Sequence, residues 1–586
     1  MKLSDYIADF IAEQGIQHVF VLSGGAAIHM IDSVSKHLKL TYIVPQHEQG
    51  GSAAADAYAR ITQNLGAMIT TSGPGTTNLV TSICNAYFDS IPVLFLSGQV
   101  ATFRIKKSKN LRQKGFQETD MVSIFTSITK YAMQLKKAAD IGYELEKAVY
   151  IAKTGRPGPV LIDIPDDLQR AETPKKLRHF KLKKKQPSKI SSTTINHFLK
   201  LIQTAKRPVL IYGAGVRLAK VIPESIIFAR HFKMPVLLSW GALDILPFDD
   251  ELNMGGIGVC GPRAGNFAAQ NADLIIAIGT RLSQMITGGR QDLFAPTAKK
   301  IMVDIDLEEL NKFGANDFSL NLKIHSDIGN FFRQLKPKLP KKNADTWGDW
   351  RKQIKDWQVK YPICPQEYYE RKKAVDAHVF IKELSHVLEE NDIIVTDAGG
   401  NLSWTMQAFE IKKGQRLLSA WNHSPMGYSL PASIGAALAS KQPVYCVIGD
   451  GGIMMCLEEL GTVRRHNLPI KLFIFNNHGH GIQKQTLDTW LNSRYIAVDE
   501  PTGLWFPDFK KIAAAFEIPY VTIENHELLK KNLIKAKKHS GPIIINVEIT
   551  PDQKIRPMLK FGAGLEDLDP KLPAAALKQI MAVSTS

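Results

Sequence analysis

The chain is 586 residues long, 44% hydrophobic and 22% charged, a globular composition with room for about three to five domains at roughly 100–200 residues each. No apolar run reaches the ~18 residues of a membrane span, which argues against a membrane protein. The formal charge of +17 raises nucleic acid as a partner, but residues 170–190 alone hold nine Lys or Arg against one Glu, so the excess reads as a solvated basic linker rather than a nucleic-acid arm.

In chain order, the first segment is an amphipathic helix. Asp5, Asp9 and Glu13 interrupt it, and Leu3, Tyr6, Ile7, Phe10 and Ile11 share one face, so it is not a signal peptide. Short apolar runs then alternate with helical stretches: HVFVLSG, AMITTSGPG, IPVLFLSGQ and PGPVLIDIP in residues 1–170. The basic linker follows (171–190). The alternation resumes over 191–345 with RPVLIYGAG, MPVLLSWG, ADLIIAIGT and KKIMVDID. A connecting segment, 346–374, carries Trp347, Trp350 and Trp357 on one helical face. The pattern returns over 375–586 with DIIVTDAGG, QPVYCVIGD, IKLFIFNN and GPIIINVEI. Strand–helix alternation of this kind predicts three α/β domains with parallel sheets. The five cysteines are scattered without metal-type spacing and read as free thiols in a reducing cytoplasm.

Most of these strands end in Gly, Asp or Asn, the end of an open α/β sheet where ligands gather. One pair stands out. GDG at Gly449–Gly451 closes one strand, and Asn476-Asn477 closes the next, with 24 residues between them. Adjacent parallel strands put Asp450 beside Asn477. The helix GIMMCLEELGTVRRHN is predicted to start beside Asp450. A carboxylate, an amide oxygen and a backbone carbonyl make half of an octahedral oxygen shell, the type that holds Mg²⁺ with phosphate oxygens and water. Gly449 and Gly451 let the main chain approach a ligand closely.

GDG…NN resembles the diphosphate motif of the thiamine diphosphate (ThDP) enzyme superfamily, and two further stretches agree with it. In PQHEQGGSAAADAYAR, Glu48 stands where that family bonds N1′ of the aminopyrimidine; a carboxyl group must exchange a proton with a ring nitrogen in a dry site. In HSPMGYSLPASIGAAL, Met426 stands where the family props the cofactor into a bent shape, a task that suits a flexible thioether. The resemblance implies metal ligation by Asp450, Asn477 and the Gly479 carbonyl. It implies cofactor contacts from Gly73, Asn78, Gly399, Gly400, Asn401, Ser424, Met426, Gly449, Gly451, Gly452, Gly481 and Ile482. It also implies a pyrimidine-binding first domain, a Rossmann-like central domain and a diphosphate-binding third domain. Because Glu48 and the metal site come from different subunits in that family, a dimer or a dimer of dimers is expected.

Over nearly the whole chain the sequence is most similar to acetolactate (acetohydroxyacid) synthase-like enzymes, through TSGPGTTNLVTSICNAYFDSIPVLFLSGQV, GFQETDMVSIFTSITKYA and RPGPVLIDIPDDLQ. This implies decarboxylation of a 2-keto acid, pyruvate first, and ligation of the two-carbon unit to an acceptor carbonyl. Phe116 and Gln117 are the catalytic-side candidates beside Glu48, and Gln99 is expected to line the substrate side; core packing remains the other reading of Phe116. His29 and His423 lie near the motifs and are read first as structural. Asp166 replaces a usual lysine, Thr486 a usual tryptophan, and Gly400-Asn401 a usual Gln-His. SGGAAIHMIDS and GIQKQT…TGLWFPDFKKIA resemble relatives that transfer an acetyl unit to a keto-sugar nucleotide in surface-polysaccharide synthesis. That transfer and simple decarboxylation stay open as alternatives. In the central domain, Gly213, Gly215, Arg281 and Asp304 resemble a flavin site. Gly258-Val259-Cys260-Gly261 and LSQMITGG depart from that site's pattern, so FAD, an adenine nucleotide or no ligand all stay open.

Overall fold

The computed structural model describes residues 1–108, 110–181, 188–314, 317–340 and 345–582. It contains three six-stranded parallel sheets. The first joins β1 (His18–Val21), β2 (Thr41–Ile43), β3 (Gly66–Thr70), β4 (Val93–Gln99), β5 (Tyr131–Gln134) and β6 (Val160–Pro165) in the order β2-β1-β3-β4-β6-β5. The second joins β7 (Pro208–Tyr212), β8 (Val236–Leu238), β9 (Asn253–Gly256), β10 (Leu274–Ile278), β11 (Lys299–Asp304) and β12 (Leu322–His325). Its order, β12-β11-β10-β7-β8-β9, is the dinucleotide-binding order with the switch point between β7 and β10. The third joins β13 (Ile393–Thr396), β14 (Arg416–Leu418), β15 (Val444–Gly449), β16 (Ile470–Asn476), β17 (Tyr520–Ile523) and β18 (Ile543–Glu548). Its order, β14-β13-β15-β16-β18-β17, repeats that of the first sheet strand for strand.

The α/β expectation therefore holds, and its cause is local. Runs such as Val-Leu-Phe-Leu in β4 and Leu-Phe-Ile-Phe in β16 are buried at every position, as strands covered by helices on both faces must be. The first and third domains also share a core. The helix Glu48–Thr62 packs along the helix Ser429–Ser440. Small residues permit the approach: a Cβ on Gly435 would lie 1.9 Å from the Ala54 carbonyl oxygen.

The helix Gly348–Lys360 packs its tryptophans on the central domain, with Trp350 Nε1 donating to the Pro208 carbonyl at 3.2 Å. The C-terminal tail returns to the same domain. The antiparallel pair Met558–Leu559 and Leu568–Asp569, and the helix Ala574–Met581, cover its core. The basic linker lies in part (182–187) outside the described residues. Its first half is not simply solvated: Arg178 pairs with Asp140 at 3.2 Å and His179 meets Glu146 at 2.7 Å on the first domain. No helix among the described residues is long and apolar enough to cross a membrane.

Candidate active site

The first half of the site is the turn into the helix Glu48–Thr62. The His47 imidazole caps that helix by accepting from the Gln49 amide at 3.1 Å. Glu48 follows, buried, and its Oε2 accepts from the Asn78 side-chain amide at 2.9 Å. A Cβ on Gly75 would lie 2.7 Å from the Thr71 side chain and 3.3 Å from the other Glu48 oxygen, so the loop after β3 packs closely against the carboxylate. Gly73 has φ +62 and lies so close to the Gln117 carbonyl that a Cβ would sit 2.8 Å from it. Glu48, Gly73, Asn78 and Gln117 are thus one constellation. Phe116 beside them is 85% exposed, so core packing is not its role in this chain. Gln99 differs from expectation. It is fully buried, and its side-chain amide donates to the Thr119 carbonyl (2.9 Å) and Asp163 (3.1 Å) while accepting from the Val100 amide. Its polar atoms are committed inside the domain, so it does not line an open pocket.

The second half sits at the carboxyl ends of the third sheet. Gly449 pairs in register with Phe475, so Asp450 and Asn477 emerge from neighbouring strands at one edge. Asp450 is buried and accepts from the amides of Gly451 (2.7 Å) and Gly479 (3.1 Å). Burial pushes its carboxyl up to about 6. The Asn477 side chain is buried and makes no hydrogen bond among the described residues; a Cβ on Gly481 would come within 2.5 Å of it. Asn401 closes the other side, with its amide nitrogen beside Gly449 and its Oδ1 buried without a partner. Gly451 lies against His480 and within reach of Met426, whose Cε would be 3.7 Å from a Cβ there. Gly399, at φ +78, faces Ile482. Gly400 lies under the Trp404 ring. Ser424 holds φ +52 two residues before Met426, a strained conformation for a side-chain-bearing residue. A ring of glycines, one buried carboxylate and two under-used amides therefore converge here. Among the described residues no three His, Cys, Asp or Glu side chains form a metal cluster. The oxygen set available is one carboxylate, side-chain amides and main-chain carbonyls.

The helix expected after Asp450 is broken into Asp450–Ile453, a short turn Leu457–Glu459 and Leu460–Arg465. The break lets Met455 lie against Gly427, and it turns Glu459 inward. Glu459 is fully buried. One of its oxygens accepts from the amides of Gln46 (3.0 Å) and His47 (3.1 Å), and the other from the Thr462 hydroxyl (2.9 Å). Burial pushes this carboxyl up to about 7. A residue of the third domain thus holds the main chain immediately ahead of Glu48. Asp397 does a similar task at the end of β13: fully buried and pushed up to about 6 by burial, it accepts from the Gly427 and Ser429 amides at 3.0 Å each and fixes the turn after Met426. Neither residue was singled out in the sequence. The signal was present for Asp397, another aspartate at a strand end. For Glu459 it was only one of two adjacent glutamates in an apolar stretch.

Glu459 ties the two domains together, but the acid–base and metal-side residues themselves do not touch. No hydrogen bond or ion pair among the described residues links Glu48 to Asp450 or Asn477. His29 is half-buried and His423 is exposed against the Phe88 ring. The flavin candidates separate. Gly215, Arg281 and Asp304 line a cavity of about 890 Å³ between the domains. Gly213 instead packs against the Gly279 carbonyl, where a Cβ would clash at 2.1 Å. Arg281 donates to the Asn422 side chain at 2.9 Å, and burial pushes Asp304 up to about 6.

Comparison with known proteins agrees with this architecture. Residues 1–124 match the thiamine pyrophosphate enzyme N-terminal TPP binding domain, 195–335 the central domain, and 397–547 the C-terminal TPP binding domain. The chain is 32% identical to the acetolactate synthase isozyme 1 large subunit of Escherichia coli K12 over 96% of both chains. It is also 32% identical to a probable acetolactate synthase large subunit of Methanocaldococcus jannaschii, over 97% of this chain and 95% of the other. A chloroplastic acetolactate synthase of Nicotiana tabacum is 29% identical over 97% and 84%. With three domains in family order and relatives matched end to end, this chain belongs to the acetolactate synthase-like thiamine pyrophosphate enzymes.

Proposed function

We propose that the protein is a ThDP- and Mg²⁺-dependent carboligase that decarboxylates a 2-keto acid, pyruvate first, and transfers the two-carbon unit to an acceptor carbonyl. The observation that carries this reading is the glycine-lined edge where buried Asp450, buried Asn477 and the Asn401 oxygen, buried without a partner among the described residues, converge. These groups fit a diphosphate–cation pair: hard oxygen donors for the metal, and main chain free of side chains for the phosphates.

In this reading Asp450, Asn477 and the Gly479 carbonyl hold Mg²⁺. When bound, the cofactor's thiazolium supplies the electron sink for loss of CO₂. Glu48 exchanges a proton with N1′ of the aminopyrimidine, and Asn78 fixes the carboxylate that does so. Met426, next to the turn that Asp397 organises, would support the bound cofactor's bent shape. Phe116 and Gln117 border the substrate side. No hydrogen bond or ion pair among the described residues joins Glu48 to Asp450, which fits sites completed by two chains, and the reading therefore includes a dimer or dimer of dimers. The large cavity, with Asp304 at a Rossmann strand end and Arg281 opposite, suits a dinucleotide such as FAD. A cytoplasmic location is part of the same reading.

The acceptor is the open choice within this function. Thr486 is exposed on the helix Gly481–Trp490, none of whose residues is buried, so the acceptor side lacks the bulk of a tryptophan. That favours a bulky acceptor such as a keto-sugar nucleotide as the second reading. Product mass spectrometry with pyruvate alone, with 2-ketobutyrate and with a 4-keto-sugar nucleotide decides. Efficient acetolactate formation from pyruvate alone supports an amino-acid enzyme. A two-carbon gain on the sugar supports the second reading. Acetaldehyde alone makes the protein a simple decarboxylase.

A further inference from the structure

The asparagine pair after Phe475 divides its tasks. Asn477 belongs to the metal side of the site, whereas the side chain of Asn476 turns elsewhere. It is buried, and its amide nitrogen donates to Glu548 Oε1 at 3.4 Å across the pairing of β16 with β18, in which Asn476 and Glu548 are register partners. The same carboxylate also reaches the far side of Asn477, where its Oε2 lies 3.2 Å from Nε2 of the His478 ring. Asn546, two residues back on β18, donates to Oε1 at 2.5 Å. Among the described residues no lysine or arginine pairs with Glu548. One carboxylate therefore holds both chain neighbours of Asn477.

The turn at His478 needs such a hold. Its φ is +53, in the left-handed region that disfavours any residue with a Cβ. The turn folds the chain back so that the Gly479 amide donates to Asp450 Oδ2 at 3.1 Å. Main-chain bonds fix the loop further out, from the Ile549 amide to the Asn476 carbonyl (3.0 Å) and from the His480 amide to the Val498 carbonyl (2.8 Å). Packing does not hold the ring of His478, whose side chain is 60% exposed. Strained backbone persists where its surroundings fix it, and here the fixing group is Glu548.

We propose that Glu548 is a positioning residue for the cation: it holds the left-handed turn at His478 and so aims Asn477 and Gly479, the two ligands that flank this turn. The assignment rests on the metal reading given above. Groups behind metal ligands set their orientation, and Mg²⁺ demands a nearly ideal octahedron where Ca²⁺ accepts irregular shells. A loosened turn thus weakens Mg²⁺ more than Ca²⁺. An exposed ion pair adds little to global stability, so the effect is confined to the loop.

The test measures cation affinity by calorimetry on full-length protein at saturating ThDP, with Mg²⁺ and separately with Ca²⁺. Glu548→Ala should weaken Mg²⁺ binding about 10–100-fold and Ca²⁺ binding less, with the melting temperature of the cofactor-free protein nearly unchanged. Glu548→Gln keeps the shape and one accepting oxygen, so its loss should be smaller, and it carries the test if the alanine variant does not fold. His478→Gly isolates the mechanism, because glycine adopts φ +53 without strain. In that background Glu548→Ala should weaken Mg²⁺ binding by less than about threefold, a non-additivity expected only if the two residues act together. Unchanged Mg²⁺ affinity in the folded Glu548 variants, equal losses for Mg²⁺ and Ca²⁺, or the same loss with His478→Gly would overturn the assignment. Wild-type protein that binds ThDP with neither cation would instead overturn the metal reading, and this assignment with it.

Discussion

Glu459 offers a perturbation whose size and sign both follow from its surroundings. Removing the carboxylate with Glu459→Ala leaves the Gln46 and His47 amides without their acceptor and opens a cavity at a fully buried position. Two lost acceptors and the cavity together cost about 2–4 kcal/mol. Glu459→Gln keeps an acceptor oxygen and loses only the charge. The pH dependence separates the two effects. Burial raises this carboxyl from 4.5 to about 7. A raised acid favours the protonated folded state, so its contribution is fully present below about pH 4.5 and is lost as pH rises through about 7, a change of about 3 kcal/mol. Glutamine has no such loss. The melting temperature of Glu459→Gln relative to wild type should therefore climb between pH 5 and 8, by about 6–12 °C at roughly 2–4 °C per kcal/mol. Loosening the turn ahead of Glu48 should also slow CO₂ release about tenfold or more in the alanine variant, and much less in the glutamine one. Parallel melting curves for wild type and Glu459→Gln across this range would refute the reasoning.

Glu48→Gln should lower CO₂ release from pyruvate by about 10²–10⁴-fold, with ThDP still bound as read by circular dichroism of the cofactor. Asp450→Ala should instead lose Mg²⁺-dependent ThDP binding, measured by calorimetry. Mixing these two inactive variants after dissociation should restore activity to about a quarter of wild type, because half of the reassembled dimers hold one intact site; no recovery would place both residues in one chain's site. Arg60→Met strips the cationic partner from Asp56 and Asp89, both 1% exposed in their side chains. It should cost about 3–5 kcal/mol in chemical denaturation.

Much of this could be read from the chain alone where the information is local or set by strand register. Asp450 and Asn477 were paired because two parallel strands of similar length end together, and β15 and β16 do so. The three α/β layers followed from continuous apolar runs. Glu48 stands at a helix start and Asn78 in a glycine-rich loop, and no local pattern encodes the hydrogen bond between them. Contacts across long sequence separations were less accessible. Glu459 meets Gln46 and His47 from more than 400 residues away, and only a break in the expected helix turns it inward. Gln99 looked available because it ends a strand, yet Asp163 and the Thr119 carbonyl claim its amide. The return of the C-terminal tail to the central domain depends on packing that no local pattern encodes.

The most direct test of the central claim is CO₂ release from carboxyl-labelled pyruvate by protein stripped of cofactor and then given ThDP and Mg²⁺, with the carbon–carbon product counted in the same sample. The account predicts release that requires both additions and is matched one for one by the ligation product once the right acceptor is present. No release with either addition, or release whose only product is acetaldehyde with every acceptor, would contradict it.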